Sequence, residues 1–385
     1  MKNKILYFTT ALDNEEFKKY LSYWKVSPNL SNQNFHNKLI HALALSYDVD
    51  VISVRSINHY FKKQRLAAKI NKENSKIYWK YIEVRRNKID KFLNMYKRIE
   101  FITMPDSEYI FVDALNLSLL KAAIKYRKKH SQKIIGVVTD NPNNISFLKK
   151  KYKAKLLELG KKLDGYITLT PKLESLYNLD NKPSIVIDGV SEKISDFLPI
   201  EVDGDYIYFG GSLMKEYGVY NLIEAFKDLD KPNLKLVICG HHVNINKLYE
   251  AIGNNPNILY LGAKSYEENL SLEKNSILAI NPRPINPKID EYSIPSKTLE
   301  YLSIGALTIT VDNELLKSHY GPCIIWAKSG DPKDLKEAIE KALSLTKTER
   351  EMLSLLGKNK VMQYTSLENI NNSLQRLLRE LSFDE

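Results

Sequence analysis

Residues 290–305 read DEYSIPSKTLEYLSIG, and they hold the signals around which the rest of the chain can be interpreted. The stretch predicts a helix over residues 295–304. Pro295 suits a first helical position, where a missing N–H costs nothing, and Gly305 is a typical residue just after a helix end. Ser293 is expected to accept hydrogen bonds from the unpaired backbone donors at the start of this helix.

Lys297 and Glu300 are three residues apart and therefore share one face of the predicted helix. A helix N-terminus has unpaired N–H groups and a partial charge of roughly half an electron, which favours a phosphate. Lys297 can neutralise a diphosphate, whereas Glu300 can accept hydrogen bonds from the two hydroxyls of a ribose. The pattern predicts a nucleoside diphosphate site. The alternative is an ordinary amphipathic helix with one solvent-exposed Lys–Glu pair.

Short apolar runs alternate with amphipathic segments on both sides of this stretch, which predicts an α/β fold with two parallel sheets covered by helices. The predicted domains are residues 1–195 and residues 205–365. A C-terminal helix over residues 366–385 is expected to return to the first domain. Residues 13–31 are predicted to be a loop. Because open α/β sheets bind ligands beyond their strand ends, the domains are expected to face each other across a cleft.

The amino-acid composition indicates a globular protein without a membrane-spanning helix. The chain has 385 residues, of which 43% are hydrophobic, and it has no apolar run close to the roughly 18 residues that would span a bilayer. Its start leads directly into a strand-like run, so a cytoplasmic location is expected. Cys239 and Cys323 lie in apolar runs and are predicted to be buried thiols, with neither a disulfide framework nor a metal cluster.

Positive charge is concentrated in the first half of the chain. Residues 1–200 carry 36 Lys and Arg against 20 Asp and Glu, whereas the remainder carries 21 against 26. Residues 61–100 carry 13 positive and 4 negative charges, and residues 121–162 carry 13 and 2. Such a surface attracts anionic lipid headgroups, phosphorylated acceptors or nucleic acid. The alternative is a solvated basic face.

A glycine-rich turn, GGSLMKEYG at residues 210–218, lies between a predicted strand and a predicted helix. Glycines at such a place let the backbone approach a phosphate, so Gly211, Ser212, Lys215 and, at the end of the next strand, Gly240 are candidate donor-binding residues. The turn lacks the dinucleotide-binding and P-loop patterns, which disfavours an NAD enzyme or a Walker-type ATPase. The alternative is a tight strand-to-helix turn.

Several motifs of the second half occur together in a fixed order. They are FGGS at residues 209–212, YGV at 217–219, LIEAF at 222–226, NILYLG at 257–262, and PSK, EYL and a final Gly within residues 295–305. This ordered set resembles the C-terminal half of family 4 (GT4) retaining glycosyltransferases, which have the GT-B fold of two Rossmann-like domains. The first half resembles that family only in its β/α rhythm and in VTDN at residues 138–141.

The resemblance implies roles for particular residues. Glu300 corresponds to the second glutamate of the family's paired-glutamate motif, which holds the donor ribose. The position eight residues earlier is Tyr292, and Glu291 is one residue out of register, so Glu291 either replaces the first glutamate or is simply exposed. The family's usual basic residues in the glycine-rich turn fall on Ser212 and Tyr217.

Diphosphate binding would then depend on Lys297 and the helix N-terminus, with Lys215 or Arg283 as further candidates. The start of the helix is expected to line the donor site through Ser293, Ile294, Pro295 and Ser296. Asp140 is the first-domain candidate for contact with the sugar near the reacting carbon, and its alternative role is a cap on the following helix. The candidate catalytic residues are thus Lys297, Asp140 and Glu291.

The implied reaction is transfer of a hexose-like sugar from a nucleoside diphosphate sugar, with retention, to a glycan or lipid-linked acceptor in bacterial-type surface polysaccharide or glycoconjugate synthesis. No metal and no cofactor is expected, and the partners are the donor, the acceptor and an anionic membrane contacted peripherally at its inner face. Two alternatives stay open. One is a GT-B sugar phosphorylase or epimerase, and the other is a nonenzymatic nucleic-acid-binding protein, which only the charge supports.

Overall fold

The computed structural model describes residues 4–23, 30–57, 69–71, 76–85, 107–146, 148–195, 197–200, 202–241 and 244–383. The chain divides into two compact units. The first comprises Met1–Val190, Glu291–Ser293 and Leu367–Glu385, and the second comprises Ser191–Asp290 and Ile294–Ser366. Most of the basic segment 61–100 lies outside the described residues.

The first unit contains one sheet. Its strands are β1 Lys4–Thr9, β2 Asp48–Ile57, β3 Lys69–Asn71, β4 Ile77–Arg85, β5 Tyr109–Asp113, β6 Lys133–Val138, β7 Gly165–Thr168 and β8 Ser184–Val186. Their order is β3-β4-β2-β1-β5-β6-β7-β8, with β3 antiparallel to β4 and the other pairs parallel. Every residue of β5 is buried, which explains why the central strands are continuous apolar runs rather than alternating ones.

Among the described residues of the first unit, five helices precede the second unit in the chain. They are α1 Asn14–Tyr23, α2 Leu30–Ala44, α3 Leu117–His130, α4 Lys150–Gly160 and α5 Pro171–Tyr177. The prediction of a loop over residues 13–31 is wrong, because α1 occupies half of it. Asp13 Oδ1 accepts hydrogen bonds from the backbone N–H groups of Glu15 and Glu16 at 2.7 and 3.2 Å, and so caps the helix start.

The second unit contains a six-stranded sheet. Its strands are β9 Tyr206–Ser212, β10 Lys235–His241, β11 Ile258–Tyr260, β12 Leu278–Asn281, β13 Thr308–Val311 and β14 Ile325–Ala327. Their order is β11-β10-β9-β12-β13-β14, and all five pairs are parallel. The helices are α6 Val219–Lys227, α7 Ile245–Ile252, α8 Tyr266–Asn275, α9 Pro287–Asp290, α10 Ser296–Ile304, α11 Glu314–Tyr320, α12 Pro332–Ser344 and α13 Lys347–Thr365. The prediction of two α/β units is confirmed.

The last helix, α14 Leu367–Phe383, returns to the first unit, as predicted. Its buried leucines recur every three or four residues, and they pack in one core cluster with Leu39 and Leu43 of α2. The side-chain amides of Asn371 and Gln375 donate to Ser46 Oγ at 2.9 and 2.6 Å. The amphipathic pattern therefore directs α14 onto α2.

Each sheet has a position at which the chain reverses its direction of winding. It lies between β1 and β5 in the first unit and between β9 and β12 in the second. Open α/β sheets bind ligands beyond the carboxyl ends of the strands at such a position. In the second unit, the glycine-rich turn follows β9, and the loop that leads to α10 follows β12.

A helix that crosses a membrane has to be both long and apolar. Within the described ranges, no helix is both long enough and apolar enough to cross a membrane. Cys239 and Cys323 are both buried free thiols, as predicted.

Candidate functional site

Two glycines let the ends of β9 and β10 come close together. Gly211 and Gly240 are paired in the parallel register of these strands. Gly240 has a φ of 144°, and a Cβ built on it would lie 1.8 Å from the carbonyl oxygen of Gly211. Any larger residue at position 240 would therefore push the two strand ends apart.

A third glycine brings the glycine-rich turn onto the loop after β12. Gly218 has a φ of 80°, and a Cβ there would lie 2.1 Å from the carbonyl oxygen of Pro282. The turn between them is a single 3₁₀ turn over Lys215–Tyr217, and α6 begins directly afterwards. The segment is thus a tight strand-to-helix turn, and its glycine fixes it at the ends of the two central strands.

Hydrogen bonds join the first turns of α10 to the same strand ends. The Asn281 side chain at the end of β12 donates to Thr298 Oγ1 at 3.0 Å. The backbone N–H of Gly210 in β9 donates to the Tyr301 hydroxyl at 3.4 Å. The start of α10 therefore lies at the winding reversal of the second sheet.

The structure corrects the predicted start of α10. The helix is Ser296–Ile304, and Pro295 is the residue before it, with extended backbone and without a side-chain cap bond. Ser293 does not cap the helix, because the position before the helix is Pro295 and no side chain makes a cap bond there. Ile294 is buried, whereas Ser296 is exposed at the first helical position. Gly305 ends the helix in the left-handed conformation, as its position predicts.

Lys297 lies between two carboxylates. Its Nζ donates to Glu300 Oε1 at 2.5 Å and to Glu273 Oε1 at 3.1 Å. Glu273, from α8, is fully buried, whereas 33% of the Lys297 side chain and 17% of the Glu300 side chain are exposed. The alternative of an ordinary solvent-exposed Lys–Glu pair is therefore wrong, because the pair contacts a buried acid.

Burial and charge act in opposite directions on these groups. Burial raises the pKa of Glu273 well above its ordinary value, with Glu300 acting in the same direction and Lys297 against it. Burial lowers the pKa of Lys297, but the carboxylates of Glu273 and Glu300 outweigh it and raise that pKa overall. Lys297 therefore stays an ammonium at neutral pH.

The other predicted donor residues of the second unit differ in their surroundings. Arg283 forms an ion pair with Asp290, whose second carboxylate oxygen accepts from the backbone N–H of Asn286 at 2.7 Å. Lys215 is exposed, and Ser212 is half-buried at the end of β9. Arg283 is thus held by its own loop, whereas Lys215 extends into solvent.

The remaining predicted site residues belong to the first unit. Glu291 forms an ion pair with Lys172 across 3.6 Å, and both side chains are more than half exposed. Asp140 accepts a hydrogen bond from the backbone N–H of Asn141 at 2.7 Å. Asn141, not Asp140, caps the short 3₁₀ helix Pro142–Asn144 that follows. The alternative role of Asp140 as a helix cap is therefore not the one observed.

The sequence interpretation missed Glu273. It lies 24 residues before Lys297, on a helix whose mean character is polar, and no motif marks it. The one available signal is its place beside Leu270 and Leu272, which are also buried. In the described part of the chain, no group of three or more His, Cys, Asp or Glu side chains is placed to hold a metal ion.

Comparison with known proteins gives a sequence match over part of the chain and a structural match over nearly all of it. Residues 190–358 match the family described as glycosyl transferases group 1. A sucrose-phosphate synthase from Thermosynechococcus elongatus has a TM-score of 0.71 and 12% identity, over 99% of this chain and 100% of that chain. A trehalose-6-phosphate synthase from Burkholderia multivorans has a TM-score of 0.66 and 11% identity, over 99% of each chain. Anabaena HepE, solved in complex with UDP-glucose, has a TM-score of 0.63 and 10% identity, over 99% of each chain.

At these identities, the structural similarities establish the fold, and it is the GT-B fold. No curated protein sequence matches the chain. The sequence match to the group 1 glycosyl transferases covers residues 190–358, which is less than half of the chain.

Proposed function

We propose that the protein transfers a sugar from a nucleoside diphosphate sugar to a glycan or lipid-linked acceptor, with retention of the anomeric configuration. The observation that carries this proposal is the placement of Lys297 and Glu300 on the first turns of α10, which are bonded to the ends of β9 and β12. That position combines a ligand-binding edge of the sheet with a helix N-terminus.

Each group has a defined chemical role in this proposal. Lys297 and the N–H groups at the start of α10 stabilise the negative charge that develops on the leaving diphosphate. Glu300 accepts hydrogen bonds from the ribose hydroxyls. Asp140 is the first-unit carboxylate that we propose for contact with the transferred sugar. Solved structures of the same fold hold related donors, UDP-glucose in Anabaena HepE and UDP-2-fluoro glucose in an Escherichia coli protein, and this supports the donor class.

The experiment measures thermal stabilisation and turnover with UDP-, GDP- and ADP-linked sugars. At least one donor is expected to stabilise the protein. Glu300→Gln should weaken binding of the matching nucleoside diphosphate by about 1.5–3 kcal/mol, because a hydrogen bond to a charged acceptor is lost. Glu340→Gln is the matched control, since it removes an exposed carboxylate that pairs with Lys336 on α12 of the same unit. Equal affinity in wild type and Glu300→Gln would refute the ribose contact.

A basic surface of the first unit supports a membrane-linked acceptor. Helices α3 and α4 pack together, and α4 with its preceding residue carries a run of lysines. Lys149, Lys150 and Lys151 at its start are exposed. We propose that this surface contacts anionic lipid, where each basic residue contributes about 1 kcal/mol. Sedimentation with phosphatidylglycerol vesicles should fall when all three lysines are changed to glutamine, and unchanged sedimentation would remove this part of the proposal.

A further inference from the structure

The buried carboxyl of Glu273 contacts the proposed donor site from its inner side. Glu273 has no exposed surface, although it lies in the last turns of α8 with the start of α10 beside it. Its Oε1 accepts from Lys297 Nζ at 3.1 Å, while within the described residues its Oε2 is buried without a hydrogen-bond partner. Because an unsatisfied buried carboxyl oxygen is costly, it calls for an explanation beyond packing.

We propose that Glu273 is a positioning residue of the donor site, whose buried carboxyl holds the Lys297 ammonium against Glu300 so that both groups meet the nucleotide in a fixed geometry. This inference rests on the proposed function. Glu273 does not touch the nucleotide, because its side chain is fully buried. It acts through Lys297, whose Nζ donates to the Glu273 carboxyl at 3.1 Å.

The charge balance of the cluster gives Glu273 its particular role. With Glu273 protonated, the ammonium of Lys297 and the carboxylate of Glu300 cancel, and the cluster is neutral. Ionisation of Glu273 adds a negative charge that draws Lys297 inwards and repels a diphosphate. Burial raises the pKa of Glu273 and so favours its protonated form, and the nearby Glu300 acts in the same direction to a smaller extent. The cluster should therefore accept a diphosphate best while Glu273 carries its proton.

Other ionisable groups face Glu273, and the ammonium, the thiol and the tyrosines among them titrate at higher pH. They are Lys297, Glu300 and Tyr301 from α10, Tyr208 from β9, Cys239 from β10 and Tyr266 from α8. Burial raises the pKa of Cys239 to about 11, and it raises the pKa values of the three tyrosines further. A loss of affinity with rising pH, below the range in which the thiol and the tyrosines titrate, would thus report Glu273.

Two substitutions at Glu273 separate positioning from packing. Glu273→Gln keeps a carbonyl oxygen for Lys297 and cannot ionise, so it mimics the protonated acid. Glu273→Met keeps the volume and removes the acceptor. The probe is the nucleoside diphosphate, among UDP, GDP and ADP, that binds wild type most tightly, measured by calorimetry from pH 6 to 9. Glu267→Gln, six residues earlier on α8, is the control and should match wild type.

Wild-type affinity is expected to fall as the pH rises, while Glu273→Gln keeps the neutral-pH affinity within about threefold and loses this decline. Glu273→Met should bind about tenfold more weakly at pH 7, because Lys297 loses a fixed partner. The inference is overturned if Glu273→Gln shows the wild-type decline, or if folded Glu273→Met binds as wild type does. Should Glu273→Met fail to fold, the pH profile of Glu273→Gln still decides.

Results that contradict the proposed function differ from results that contradict only the role of Glu273. If wild type binds none of the nucleoside diphosphates, or if Glu300→Gln leaves their affinity unchanged, the donor site itself is wrong. If Glu300→Gln binds weakly but both Glu273 variants behave as wild type, only the role of Glu273 is wrong.

Discussion

Both units bury a cluster of ionisable side chains, but the two clusters differ in how their charges are balanced. In the first unit the Tyr7 hydroxyl lies 2.7 Å from His36 Nδ1, and Asp113 Oδ2 lies 3.7 Å from His36 Nε2. In the second unit Lys297 bonds to both Glu273 and Glu300. His36 is buried as a neutral ring, whereas Lys297 remains charged.

The difference in charge between His36 and Lys297 follows from how each group is compensated when burial removes it from water. Burial lowers the pKa of His36, and the neighbouring Asp113 opposes it without reversing it. A neutral imidazole needs little more than one hydrogen bond, so it can sit inside a core between Tyr7 and Phe35. An ammonium needs acidic partners, and Lys297 donates hydrogen bonds to two of them, Glu273 and Glu300. The comparison teaches that the charged cluster, with one third of its lysine exposed at a sheet edge, is the one suited to a ligand.

Lys297→Ala is expected to give the largest effect. Removing a cation at the developing diphosphate charge should lower turnover by about 10²–10³-fold, since one such donor is worth roughly 3–4 kcal/mol. Lys336→Ala, which removes a partly exposed lysine of α12, should leave turnover unchanged. Turnover would be measured by steady-state kinetics with the donor that thermal stabilisation identifies. Near-normal turnover of Lys297→Ala would contradict the proposal that the Lys297 cluster, unlike the His36 cluster, binds the donor.

Tyr7→Phe tests the first cluster and should act on stability alone. The change leaves His36 Nδ1 buried without its 2.7 Å partner, which should cost about 1–3 kcal/mol in the free energy of unfolding. Tyr249→Phe, at a tyrosine that is 55% exposed, should stay within about 0.5 kcal/mol of wild type. Urea denaturation measures both. Nucleotide affinity should not change in Tyr7→Phe, and a tenfold loss would place this cluster in the donor site after all.

The pH dependence of stability should have opposite signs for the two clusters. The folded protein binds a proton on His36 less tightly than the unfolded chain does, so this contribution is full above the ordinary pKa of 6.5 and is lost as pH falls below it. It binds a proton on Glu273 more tightly, so stability declines as pH rises above the ordinary 4.5 towards the raised value. Each slope is at most about 1.4 kcal/mol per pH unit.

Denaturation of His36→Gln and Glu273→Gln at a series of pH values separates the two contributions. His36→Gln should flatten the profile below pH 6.5, and Glu273→Gln should flatten it above pH 4.5. Glu340→Gln, an exposed carboxylate, should keep the wild-type profile. Identical profiles for all three variants would show that the two clusters do not differ in the way described.

Much of the fold could be predicted from short-range pattern. The apolar runs that became β5 and β6 are recognisable because central parallel strands are buried on both faces. Gly305 and the regular leucines of α14 mark a helix end and a packing face. The capped helix α1 was missed because its charged residues obscure an apolar face, and its cap, Asp13, resembles an ordinary loop residue.

The site was predictable only where its residues are neighbours in sequence. Lys297 and Glu300 meet because helix geometry places residues three apart on one face. The pairing of Arg283 with Asp290 depends on the path of a loop. The allocation of Glu291 and Ser293 to the first unit depends on how the chain divides in space.

By itself the sequence determined the alternation of strands and helices, the glycine turns at the strand ends and the Lys297–Glu300 pair, because backbone sterics and helical periodicity act over a few residues. Only the tertiary structure decided that this pair contacts Glu273. That contact exists because α8 packs against α10 and removes the Glu273 carboxyl from water. Desolvation depends on every neighbour that excludes solvent, and most of those neighbours are distant in sequence.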